Sequence, residues 1–195
     1  TALGNASSYK NTIGDYNVAL GYQAAYENTT GVSNTSLGYL SFFNNQTGNQ
    51  NTVIGREAGF GASAFTGSDD NVLIGYESAF KLGSNAEGNV TVGKDSAYNL
   101  TNGDYNIILG MDAGDNLKEG SSNIILGYNI DAPTVNGDEQ LVIGNLIYGT
   151  SIDGTGTTIS SGNIGIGDSS PEAKLKVNGT VLATAFNGDG SALTG

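Results

Sequence analysis

Asn106-Ile-Ile-Leu-Gly110 and Asn123-Ile-Ile-Leu-Gly127 are identical blocks seventeen residues apart, and variants of the block recur along most of the chain. It reads Asn17-Val-Ala-Leu-Gly21, Asn34-Thr-Ser-Leu-Gly38, Asn51-Thr-Val-Ile-Gly55, Asn71-Val-Leu-Ile-Gly75 and Asn89-Val-Thr-Val-Gly93. A truncated copy, Thr1-Ala-Leu-Gly4, precedes these, and a degenerate one, Gln140-Leu-Val-Ile-Gly144, follows. From Gly4 to Gly144 the glycines are spaced 17, 17, 17, 20, 18, 17, 17 and 17 residues apart. A fixed period of this length marks a stacked-repeat architecture, in which no repeat buries its apolar face alone.

Each block is a short apolar run bounded by turn formers, too brief for a helix, and reads as one short strand. Gly14, Gly31, Gly48, Gly103, Gly120 and Gly137 stand three residues before the opening Asn or Gln, and Gly67 stands four before Asn71. These glycines, with the coil-turn glycines Gly21, Gly38, Gly55, Gly75, Gly93, Gly110, Gly127 and Gly144, supply corners that need positive φ or close backbone approach. After the second Gly comes an Ala/Ser-x-aromatic stretch ending at Tyr26, Phe43, Phe60, Phe80 or Tyr98, which reads as a second strand. The expected fold is all-β: a parallel β-solenoid, or β-roll, of about nine 17-residue coils. Coils stacked about 4.8 Å apart would run roughly 40 Å, with the recurrent Asn forming an amide ladder.

On a period of two, the aliphatic before Gly and the residue two before it are expected to face the coil interior. The middle residue then points outward, as Val53, Leu73, Ile108, Ile125 and Val142. An outward aliphatic stripe on a lone chain invites aggregation, so these five residues are the expected contacts of a parallel homotrimer. Three-fold and two-fold packing would both cover such a stripe.

The chain divides into a repeat domain at 1–148, a Gly/Ser/Thr-rich connection at 149–162 and a junction at 163–195. In the junction, Lys174-Leu-Lys-Val177 alternates, Asn178-Gly179 is a hairpin-turn dipeptide, and Thr180 to Phe186 is expected to return as a strand. The opening at Thr1 and the turn-rich close at Gly195 read as cut ends of something longer.

Composition narrows the chemistry. There is no His and no Cys among 195 residues, which removes imidazole bases, thiolate nucleophiles, Cys/His zinc sites and disulfides. Neither an enzyme activity nor a cofactor is expected. Glycine numbers 31, about twice the usual 7% share, yet 37% hydrophobic content argues against disorder. A net charge of −12 with seven scattered Lys and Arg disfavours nucleic acid, and no apolar run is long enough to insert in a membrane. Asp69-Asp70-Asn71 and the pair Asp112 and Asp115 could meet a Ca²⁺ ion, but neither has alternating-ligand spacing, and solvated turns explain them better. Gly165-Ile-Gly167 lacks the helix and acidic partner of a phosphate loop and is read as a turn. Tyr22, Tyr39, Tyr76 and Tyr128 share one repeat position and could stack on sugars, or on one another. Asn-x-Ser/Thr triplets open at Asn5, Asn28, Asn34, Asn45, Asn89, Asn99 and Asn178.

The repeats resemble the β-roll heads of trimeric autotransporter adhesins and related repeats in phage tail fibres. The stretch from Asn163 to Gly195 is similar to the junction that precedes an intramolecular chaperone domain in tail-fibre proteins. The 17-residue period is longer than in the adhesin heads, and Gln140 departs from the motif. The resemblance implies a trimeric, extracellular or virion-borne fibre segment that spaces a receptor-binding region, with itself as principal partner. The alternative is an adhesin head binding a cell-surface glycan or protein receptor.

Overall fold

The computed structural model describes residues 1–62 and 66–185. Twelve short strands form one sheet in strict sequence order, and no helix occurs among the described residues. Strands β1 (Ala2–Leu3), β2 (Val18–Leu20), β3 (Thr35–Leu37), β4 (Thr52–Ile54), β5 (Val72–Ile74), β6 (Val90–Val92), β7 (Ile107–Leu109), β8 (Ile124–Leu126) and β9 (Leu141–Ile143) pair in parallel. Equivalent residues stay in register throughout, so Val53 lies beside Leu73 and Leu73 beside Thr91. Nine strands joined by eight turns make a parallel β-solenoid.

Glycine makes the stacking possible. Gly21, Gly38, Gly55, Gly75, Gly93, Gly110 and Gly127 all have φ between 136° and 143°, closed to residues with a Cβ. A Cβ on Gly75 would overlap the carbonyl oxygen of Gly93, and the same holds down the column to Gly110. The second glycine column runs Gly14, Gly31, Gly48, Gly103, Gly120 and Gly137, but its member in the 20-residue coil is Ser68, not Gly67. The Asn51 amide donates to the Ser68 carbonyl as Asn34 does to Gly48, and Ala86 takes the place in the following coil.

The Asn column is a buried ladder. Each side-chain oxygen accepts both the backbone N–H and the amide of the next coil's Asn, at 2.9–3.1 Å between Asn34, Asn51, Asn71, Asn89, Asn106 and Asn123. The same amide groups donate to corner carbonyls, such as Asn89 to Gly103 at 2.9 Å. An otherwise expensive buried polar column is thus satisfied. Gln140 ends it: its amide donates to Asn123, Thr134 and Gly137, and its oxygen accepts the Thr134 N–H at 2.8 Å. The longer side chain finds within its own coil the partner that a tenth coil would have supplied.

The strands face opposite to expectation. The middle residue of each points into the coil: Ala19, Ser36, Val53, Leu73, Thr91, Ile108, Ile125 and Val142 are buried, the last five aliphatics being fully so. The flanking residues point out, Leu20 remaining 46% exposed and Ile107 40%. Val53, Leu73, Ile108, Ile125 and Val142 therefore form the core and cannot touch a neighbouring copy. The physical reason lies across the coil. The Ala/Ser-x-aromatic stretch is not a strand, because Gln23, Ala25, Leu40, Phe42, Glu77 and Ala79 alternate into positive φ. That geometry turns two adjacent residues inward, Ser41 with Phe42 and Ser78 with Ala79, leaving room opposite for only one. Among the described residues Phe42 is the largest fully buried side chain, and Gly59 makes room for it: a Cβ there would lie 3.2 Å from the Phe42 ring and 2.7 Å from Leu73.

Beyond β9 the chain reverses. β10 (Ile147–Gly149) pairs antiparallel with β9 and with β11 (Ile164–Ile166), and β12 (Leu175–Val177) pairs parallel with β11. The hairpin expected at Asn178-Gly179 does not form: residues 180–185 return no strand, and Phe186 lies outside the described residues. Gly144 executes the reversal at φ 60°, with open space around it.

Two glycines of one sequence motif should therefore respond differently to alanine. Gly75→Ala sets a Cβ against backbone at a forbidden φ, and should lower unfolding free energy by about 3 kcal/mol or more in denaturant titration. Gly144→Ala occupies open space in the left-handed region, and should cost about 1 kcal/mol.

Candidate functional site

Residues that recur at one repeat position become continuous columns on the coil surface, so any site here is a column or a break in one. The first aromatic column joins Tyr9, Tyr26, Phe43, Phe60, Phe80 and Tyr98, with centroids 5.1–5.3 Å apart and ring planes within 9°. That separation is slightly above the coil spacing of about 4.8 Å, and face-to-face rings leave mainly their edges to solvent.

The second column holds Tyr22, Tyr39, Tyr76 and Tyr128. Tyr22 stacks on Tyr39 at 5.4 Å. Arg56 sits between the Tyr39 and Tyr76 rings, 5.5 and 5.3 Å from their centroids, and the Lys94 ammonium lies 5.7 Å over Tyr76. Both faces of Tyr39 and of Tyr76 thus meet a ring or a cation of a neighbouring coil. A sugar approaching them would meet edges and hydroxyls rather than a free π face. Tyr128 is more open, at 68% exposure.

Alongside runs an acidic column, Glu57, Glu77, Asp95 and Asp112, each with positive φ. Arg56 pairs with Glu57, and Lys94 with Asp95, so every second carboxylate has a cation. Asp115 continues the aromatic column as a carboxylate. Burial, then a hydrogen bond with Asp131 and the charges of Asp131, Asp112 and Asp95, hold its carboxyl above the ordinary range. Asp69 is bound within the coil stack, its oxygen accepting the Asn49 N–H at 2.6 Å. Among the described residues no three acidic side chains converge as metal ligands. Gly165 lies within β11 and Gly167 turns the chain out of it, so neither forms a phosphate loop. Of the Asn-x-Ser/Thr asparagines, Asn28, Asn34, Asn45 and Asn89 are buried, closed to glycan attachment on the folded coil.

The surface overlooked by sequence reasoning is the outer face of the sheet. Its two columns carry the first and third residue of each strand. One runs Leu3, Leu20, Leu37, Ile54, Ile74, Val92, Leu109, Leu126 and Ile143, then continues through the reversal as Ile147, Ile166 and Val177. The other runs Val18, Thr35, Thr52, Val72, Val90, Ile107, Ile124 and Leu141, reaching Ile164 and Leu175 past Gly149. Neither column contains a charged residue. The sequence carries a partial pointer to the facing: where the middle position is a hydroxyl, Ser stands five residues on, Ser36 with Ser41 and Thr91 with Ser96, although Ser78 follows the apolar Leu73 in the same way. Inside the coil Ser36 and Ser41 bond at 2.6 Å, while Thr91 and Ser96 share Ser78.

The raised Asp115 carboxyl gives a pH dependence of unusual sign. Because the folded state holds that proton more tightly than the unfolded chain, this residue's contribution to stability increases as pH falls from its raised folded value toward the ordinary carboxylate value near 3.8. Asp115→Asn should raise the melting temperature at pH 7, and the gain should shrink toward pH 4 in scanning calorimetry; an equal gain at both pH values would contradict this assignment.

Comparisons with protein-family models, with curated proteins and with solved structures find no match to this chain.

Proposed function

We propose that this chain is a structural segment of an extracellular or virion-borne fibre, in which parallel copies associate as a homotrimer and space a receptor-binding region from its support. The observation that carries the proposal is the aliphatic column running without interruption across all twelve strands, about 50 Å at the usual strand spacing. Through the reversal after β9 the coil architecture changes, the period fails and β10 runs backwards, yet Ile147, Ile166 and Val177 keep the column aliphatic. Coil packing alone does not require this, because these side chains point away from the core. A partner lying along the whole face does.

A second copy of the same chain fits that face. Its columns have the same spacing, so each coil meets an equivalent coil, and parallel in-register packing repeats one contact along the length. The net charge of −12 is carried elsewhere, so like chains approach best on this uncharged sheet. Three copies around an axis would bury three such faces and turn the acidic and aromatic columns outward. Coil-to-coil hydrogen bonds would then run along the fibre and resist bending and cleavage. No catalytic role enters this proposal. Stacked rings and paired cations account for much of the tyrosine column, which favours a spacing role over an adhesin head that binds through those tyrosines.

Sedimentation equilibrium at micromolar concentration should give three times the 19.8 kDa chain mass. Ile74→Lys with Leu109→Lys, both on the outer column, should yield folded monomers with an unchanged circular-dichroism spectrum. Ile108→Lys, one residue away but inside the coil, should unfold the chain. A wild-type chain that sediments as a monomer would refute the assembly.

A further inference from the structure

The solenoid does not close flat at its C-terminal end. Val142 belongs to the inward column, and its partner on β10 is Tyr148, followed on β11 by Gly165. Tyr148 packs partly on the core, but among the described residues no further coil comes round beneath it. The place where a tenth coil would lie is a cleft of about 710 Å³ between the corner at residues 131–138 and the turn at 169–171. The volume is that of a small-molecule site. Its walls mix an aromatic and two prolines, Tyr148, Pro133 and Pro171, with the oxygen-bearing Asp131, Asp138 and Asn145.

We propose that this cleft binds a neutral saccharide unit, with ring C–H groups against Tyr148 and the prolines and hydroxyls donating to Asp131, Asp138 and Asn145. No Lys or Arg lines it, which disfavours phosphates, sialic acids and uronates on an acidic chain. A small cation is a poorer fit, since among the described residues no three acidic side chains converge as metal ligands, and Asp138 already accepts the Ser121 N–H at 2.7 Å. Hydroxyls can use the lone pairs that remain. The open mouth lets one unit of a longer glycan enter while its neighbours stay in solvent.

The cleft lies on the core side of the sheet, opposite the aliphatic columns, so an assembly through those columns leaves it open. The proposal stands whether the chain is trimeric or not, and sedimentation of the same samples separates the two questions.

Calorimetric titration of the full chain with chitotriose, mannotriose and maltotriose tests it, with 3′-sialyllactose as the anionic control. At least one neutral trisaccharide should bind with Kd between about 10 μM and 1 mM, and the sialylated one at least tenfold more weakly. Asn145→Gly suits the positive φ at that position and should weaken binding by tenfold or more at unchanged sedimentation and melting temperature. Asp131→Asn should weaken it as much at unchanged sedimentation, with its melting temperature raised at pH 7 because a charge beside Asp115 is removed. No saturation by any of the three at 10 mM would overturn the proposal. So would equal binding of the sialylated sugar, or full affinity in both variants.

Discussion

The distance between successive coils, about 4.8 Å, is the constraint on which the rest depends. Residues one period apart lie at that distance, so each column is filled by side chains that tolerate close contact with their neighbours. Glycine does so by having no side chain, which lets backbone rest on backbone from Gly4 to Gly110. Asparagine does so because an amide is both donor and acceptor, and the ladder from Asn34 to Asn123 satisfies itself. Aromatic rings do so because their stacking distance is close to the spacing, as from Tyr9 to Tyr98. Carboxylates do not, since two unit charges at this distance repel by about 1 kcal/mol even in water. The acidic column answers by pairing alternate members, Glu57 and Asp95, with Arg56 and Lys94.

The stacking also carries a conformational cost. Among the described residues twenty-three non-glycine residues hold positive φ, Leu40 and Phe42 included, each about 1–2 kcal/mol above the right-handed alternative. Single residues in such a state are usually confined to special sites; here they recur at the same place in coil after coil. What holds them is the neighbouring coil. The N–H of Phe42 donates to the Ala58 carbonyl, that of Ala79 to Ser96 and that of Ala97 to Ala113, so a coil without neighbours would lose the bonds that offset its strain. Stability therefore belongs to the stack rather than to the repeat.

Much of this was legible from residue types. The spacing of Asn and Gly showed the period, the parallel register and the amide ladder, because those columns depend on identity rather than direction. Direction was harder to read. A three-residue strand offers two possible facings, and both place aliphatics on both sides here, since Ile107-Ile-Leu109 is apolar throughout. The facing is decided by the opposite wall, where alternate positive φ lets two adjacent residues turn inward, and nothing in residues such as Gln23 or Leu40 announces that conformation. The Asn178-Gly179 dipeptide misled because a turn preference is only local: β12 is held by its pairing with β11, and no strand follows over residues 180–185 to take its other edge.

The end of the solenoid shows how one strand geometry can divide the two proposed roles. At β9 the amide ladder stops on Gln140, the glycine φ changes from near 140° to 60° at Gly144, and the chain turns back. The sheet nevertheless continues, because β10 presents the hydrogen-bonding edge that β9 requires. Flanking residues keep their outward direction through the reversal, so the aliphatic columns extend to Val177. Middle residues also keep their inward direction, but no coil encloses them any longer, and Tyr148 stands against a cleft where Val142 stands against a core. Alternation along a strand thus places the assembly face and the cleft on opposite sides of one sheet, and occupation of either need not obstruct the other.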